Sequence, residues 1–379
     1  TLFLLLCLTL CLPSRVLAQP VSPAQNAETI RTALVEAQIA LPDDPQGAQQ
    51  KLDLARTTYL EQLAAPIQGV QAGSANQILA DLADAQKALT QQNAPAFAAA
   101  RAHIWTGLLA GSYAVVNKAV QAGDGQTAQT WLAVREFRTA TRFSRPGADA
   151  TLAVDRLAAK TSTSADALLA VHADLLDTYQ ARLNEVLADL VNSNKNQYAM
   201  RRAEQTALAA GYFSILAPAY GEQRGTAAQQ SAQKAFAQLQ TVALQKQDIT
   251  QALTAVQTAL HNFRAAPLSA AEQTRRAGQL LRYLSLVPVE YGRGVTDGHV
   301  NRTLEIQEAI TFHDGAAAAF ADLENLLDAR DAQRTAAIGK TLADLGTKLN
   351  ATMAQTELAA PSAIQAQTDQ LVADLKAIM

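Results

Sequence analysis

Glu290, Glu305, Glu308 and His313 fall in one block, VPVEYGRGVTDGHVNRTLEIQEAITFHDGAAAAF (287–320), which holds four glycines and two of the chain's five histidines. Glu305 and Glu308 stand three residues apart. On a helix the second lies about 300° round from the first, so their carboxylates are neighbours on one face. Like charges at that spacing repel unless a cation sits between them. A metal ion fits that role, because paired carboxylates are hard oxygen ligands, and so does an arginine. His313 lies about 80° round the same helix from Glu305. Glu290 and His299 come from the glycine-rich stretch before the helix and can fold over its face. A solvated acidic helix face carries the same residues, so both readings stand.

A second constellation is WLAVREFRTATRFSRPGADATLAVDRL (131–157). Arg135, Arg138 and Arg142 are spaced i, i+3, i+7, which in a helix aligns three guanidinium groups as a stripe. Adjacent arginines require carboxylates or water around them. The acidic groups of the C-terminal third, or Asp174 and Asp177 in DLLDTYQARL, are the expected partners. The stripe then reads as an ion-pair lattice, an anion or partner site, or plain surface. His103, His172 and His261 sit singly in helical runs and read as structural. No Ser–His or Cys–His triad, phosphate loop, His-Glu-x-x-His helix or Glu-x-x-His di-iron spacing is present in the sequence, so no enzyme site is assembled.

These groups must be positioned by helices. Almost every window after residue 18 repeats apolar residues at i, i+3, i+4 and i+7, and alternating β-branched runs are absent, which predicts an all-α fold of stacked antiparallel bundles without a sheet. Expected capping boxes are Ser22 with Gln25, Asp248 with Gln251, Ser269 with Glu272 and Ser362 with Gln365. Polar breaks at 42–47, 93–95, 123–125 and 144–149 divide the chain. They suggest bundles over 22–145, 150–265 and 269–379. Pro288 and Gly292, Gly294 and Gly298 are expected to end the helix begun at Ser269, with a new one starting near Asn301 or Thr303.

Of 379 residues, 49% are apolar and only 5% aromatic, which points to close packing through alanine and leucine. A net charge of −3 argues against broad nucleic-acid binding, which needs a basic face. The run LFLLLCLTLCL followed by small residues at Val16 and Ala18 reads as a signal peptide over 1–18. Both cysteines lie in it, so the exported chain has no thiol chemistry. No later apolar run reaches the roughly 20 residues of a spanning helix.

WLAVREFRTATRFSRPGADATLAV, DLLDTYQARL and LSLVPVEYGRGVTDGHVNRTLEIQEAITFHDGAAAAFADLE together resemble the extracytoplasmic N-terminal region of bacterial high-affinity iron permeases of the FTR type. The resemblance implies an exported helical region at the periplasmic face, ahead of a membrane bundle that transports iron through Arg-Glu-x-x-Glu motifs. This sequence contains no such motif, and REFRT (135–139) has Thr in place of the second glutamate, so those ligands are not carried over. With no Met before the apolar run, the expectation is a fragment of a longer permease. Iron is the expected ligand of Glu290, Glu305, Glu308 and His313, bound or presented at the entrance of the pore. A periplasmic iron-delivery protein is a possible partner. The alternatives are a periplasmic interaction module and a stand-alone soluble metal-binding bundle without transport.

Overall fold

The computed structural model describes residues 21–136, 145 and 147–379. The expected signal peptide therefore lies outside the described residues, as do Arg138 and Arg142.

The chain is a succession of helices, half of them begun by a short polar side chain that accepts an otherwise unpaired N–H, an arrangement worth about 1 kcal/mol per helix. Ser22 and Pro23 open α1 (Pro23–Ala40) with the expected capping box. Asp44 caps α2 (Pro45–Thr58), which continues through a single π-helical turn, Tyr59–Leu63, into α3 (Ala64–Gln68). After α4 (Ala72–Thr90), Asn93 caps α5 (Ala94–Gln121) and Asp124 caps α6 (Gly125–Leu132). Then come α7 (Ala150–Ala158), α8 (Ser164–Lys195), α9 (Ala199–Arg224), α10 (Thr226–Leu244) and α11 (Thr250–Leu260). The last part holds α12 (Ala270–Gly294), α13 (Thr303–Met353) and α14 (Pro361–Ile378). The all-α expectation holds. The one departure is a two-residue ladder, β1 (Val295–Thr296) paired antiparallel with β2 (His299–Val300).

Two of the expected caps are corrected. Asp248 accepts the N–H and hydroxyl of Thr250, but as a turn two residues long rather than as a capping box. Ser362 lies inside α14, whose first residue is Pro361. Pro288 does not stop its helix either. Leu284, Val287 and Tyr291 bury one face of α12, and that packing carries the helix six residues past the proline. The missing N–H costs one hydrogen bond, which the buried face offsets.

Buried apolar residues from Ala27 to Ala266 form one continuous cluster, which includes both segments read from the sequence as separate bundles. Those from Leu268 to Ile378 form a second. Glycines let helices of the first core approach closely: a Cβ on Gly211 of α9 would lie 2.0 Å from the Thr106 hydroxyl of α5. The second core is a four-limbed bundle, because Asp331 leaves helical geometry (φ −157°, ψ 90°) and folds α13 back on itself. Its carboxylate caps the returning limb through the Arg334 N–H at 2.9 Å. The β1–β2 turn therefore lies at one end of the bundle. The linker 261–269, the Asp331 bend and Met379 lie at the other, where Arg330 donates to the Ile378 carbonyl at 2.9 Å.

A buried ion lattice joins the two cores. Arg145, 1% exposed, donates to the carbonyls of Ala173, Ala266 and Pro267. Arg264 bridges Asp177 of α8 (2.5 Å) and Asp322 of α13 (3.5 Å), and Arg276 meets the other oxygen of Asp322 at 2.7 Å. Such lattices fix orientation more than they add net stability. Among the described residues no helix is long and apolar enough to cross a membrane.

Candidate metal centre

The acidic block folds as a hairpin of helices. Asp297 and Gly298 adopt left-handed backbone (φ 54° and 73°), the geometry of a two-residue hairpin turn, and reverse the chain after α12. The N–H groups of Asn301 and Arg302 then donate to the Gly294 carbonyl. A Cβ on Gly294 would lie 2.4 Å from Ile306 and 3.1 Å from the Arg302 carbonyl, so glycine allows α13 to start directly against α12. Tyr291 pins the end of α12 by donating to the Ala359 carbonyl at 2.7 Å. Ile306, Ala309 and Ile310 face the core. Glu305 and Glu308 are left on the flank turned toward Glu290.

The result is a carboxylate triad. One oxygen each of Glu290, Glu305 and Glu308 lies within 4.8 Å of the others. Ligands at about 2.0–2.6 Å from a hard cation stand no more than ~5 Å apart, so the spacing suits one shared ion. Glu290 is 6% exposed, Glu305 is half-buried and Glu308 opens to solvent. The centre therefore has a buried floor and an open rim. Two arginines already touch it. Arg293 donates to both oxygens of Glu290 (3.0 and 2.8 Å), and Arg302 lies 3.8 Å from Glu305. Both are mostly exposed, at 59% and 69% of their side chains. Three carboxylates and two guanidiniums leave a formal charge of −1. The Arg302–Glu305 pair is of the exposed kind that contributes about 0–1 kcal/mol, whereas Arg293 holds both oxygens of the buried Glu290.

His313 does not join the triad. Its Nε2 lies 2.9 Å from the Leu342 carbonyl and its Nδ1 3.1 Å from Asp314, and the ring packs against Gly346. Angle alone had suggested a shared edge with Glu305, but eight residues of helix rise about 12 Å. His299 sits exposed on β2 and is likewise outside the group. Sequence reasoning missed Arg293 and Arg302, although each stands three residues from a triad glutamate, the spacing at which helical side chains meet.

The arginine stripe is corrected at its first member. α6 ends at Leu132, so Arg135 is not helical. It reaches Thr151 at 2.6 Å and the expected partner Asp174 at 3.5 Å, not the glutamates of the triad. Asp174 in turn accepts the Ala150 N–H at the start of α7, and burial pushes its carboxyl above the usual range. Glu136, the glutamate of REFRT, is committed to structure: it accepts Trp105 Nε1 at 3.0 Å and the Tyr212 hydroxyl at 3.1 Å. Two of the lone histidines fill structural places, with His103 on Gln240 at 2.7 Å and His172 against the Tyr113 ring, whereas His261 lies exposed just past the end of α11.

No curated protein and no solved structure matches the chain. Family comparison does place it. Residues 19–259 match the iron permease FTR1 N-terminal domain, and residues 266–379 match the iron permease-associated 4-helix bundle domain. The gap between the two matches falls at the linker where the two cores meet. With both folding units so matched, the chain belongs to the iron permease FTR1 family.

Proposed function

We propose that this chain serves iron uptake by holding iron outside the membrane on Glu290, Glu305 and Glu308, at the extracytoplasmic face of the cell. The observation that carries the reading is the convergence of three carboxylates within 4.8 Å, balanced among the described residues by two arginines with exposed side chains. An all-oxygen ligand set suits a hard cation, and iron is the cargo of the family. The triad lies at the end of the C-terminal bundle opposite the linker 261–269. Iron taken up there, from solution or from a periplasmic delivery protein, is presented at the pore entrance.

Iron titration of the chain by equilibrium dialysis tests the reading. Glu305→Ala with Glu308→Ala lowers affinity at least about tenfold, the effect of losing two of three charged ligands, about 1.4 kcal/mol or more. Equal affinity in the double variant removes the site. It would favour an interaction module, in which Arg293 and Arg302 neutralise these glutamates.

A further inference from the structure

Beside the linker 261–269 lies a cleft of about 620 Å³ between the two domains. Its charged walls come from α8 (Asp177, Glu185), the linker (His261, Arg264) and α13 (Asp322, Glu324, Asp328), while α11 adds only Gln257 and Leu260. Most of these charges are matched. Arg264 spans Asp177 and Asp322, Arg276 holds Asp322 from behind, and Arg182 pairs with Glu185 at 2.7 Å. Glu324 and Asp328 remain, one turn apart on α13, and facing them is His261. Its backbone is tied to the N-terminal domain, because Arg224 of α9 donates to the carbonyls of Ala259 and His261.

The contact across the joint exists in two chemically distinct forms. His261 Nε2 lies 3.3 Å from Asp328 Oδ2. The Asn262 amide lies 2.9 Å from that same Nε2 and 3.2 Å from that same Oδ2. With a neutral imidazole, Nε2 is an acceptor, and the two N–H groups of Asn262 bridge it to the carboxylate. Asn262 holds left-handed backbone (φ 56°) to do so. With a proton on the imidazole, Nε2 becomes a donor, bonds Asp328 directly and displaces the amide. The first form is a neutral bridge, and the second is a charge-assisted bond of roughly twice the strength.

We propose that His261, Asn262, Glu324 and Asp328 form a proton-operated latch between the two domains, which fastens the linker to α13 and narrows the cleft as pH falls. Acidification changes the formal charge of the His261–Glu324–Asp328 group from −2 to −1 and places the new cation between two carboxylates. Burial, then Asp328 one turn away, pushes the Glu324 carboxyl up, while His261 draws it back. The latch is independent of the metal centre, which lies at the other end of the bundle.

Paired spin labels on the full chain, at Ala188→Cys on α8 and Ala321→Cys on α13 with Cys7 and Cys11 changed to serine, read the width of the cleft. Between about pH 7.5 and about pH 5.5 the distance shortens and its distribution narrows. His261→Gln keeps the wide distribution at both pH values, and His261→Lys, a permanent cation, keeps the narrow one. His261 is 65% exposed, so both variants fold. A wild-type distance that does not change with pH, or one that changes equally in His261→Gln, overturns the latch.

Discussion

Arg293 and Arg302 occupy the position that a sequence reading reserves for a metal. The glutamates show why a cation is needed but not which one. Arg293 stands three residues along α12 from Glu290 and Arg302 precedes α13 three residues before Glu305, so the triad is already partly neutralised. Removing the exposed competitor strengthens binding: Arg302→Ala raises iron affinity about three- to fivefold, the equivalent of an exposed pair worth about 0.7–1 kcal/mol, in the same dialysis measurement. The glutamates of the site were legible because helical spacing is written in the sequence. The exclusion of His313 was not, because its partner, the Leu342 carbonyl, lies 29 residues on, across a fold-back that spacing does not reveal. Asp81 offers a second test at this scale. It is 4% exposed, held by Gln77 at 3.0 Å, and burial pushes its carboxyl above the ordinary range. A raised folded-state value means that stability is fully present below the ordinary carboxylate range and is lost as pH rises through the raised value. Asp81→Asn therefore melts with the wild type near pH ~3 and about 2–4 °C above it near pH ~7, by calorimetry.

At the level of elements, the hairpin that closes the metal centre was announced by Asp297-Gly298, a dipeptide that favours two left-handed residues in succession. Reading the glycines only as helix breakers hid it. The run of α12 through Pro288 was hidden for another reason: packing outweighs one lost hydrogen bond, and packing is not local. Helix starts were better foretold, since Ser22 and Ser269 form their capping boxes with residues three positions on. Contacts between the limbs of the C-terminal bundle give a sharper test. A Cβ at Gly346 would lie 2.5 Å from the His313 ring, which cannot retreat without losing Leu342. Gly346→Ala thus destabilises the chain by about 1–3 kcal/mol in urea unfolding, as overpacked cores do. An unchanged midpoint would mean that the ring moves freely.

For the whole molecule, the decisive feature is the division into two cores joined by arginines. Composition foretold helices packed through small residues, but nothing local shows that 22–145 and 150–265 share a core while 269–379 has its own. That depends on which faces meet. Asp322 is where the joint concentrates, because it answers Arg264 from the linker and Arg276 from α12. Asp322→Ala leaves buried guanidinium unpaired and costs about 3–5 kcal/mol. In calorimetry it separates the unfolding of the bundle from that of the larger core, and a single unshifted transition would contradict the role given to this joint. The central claim is that the free end of this bundle holds iron for a permease. Anomalous diffraction at the iron edge from iron-soaked crystals tests it most directly. The account predicts one peak among the carboxylates of Glu290, Glu305 and Glu308, with Arg293 and Arg302 swung into solvent. Iron bound elsewhere, with both arginines still seated on the glutamates, would contradict it.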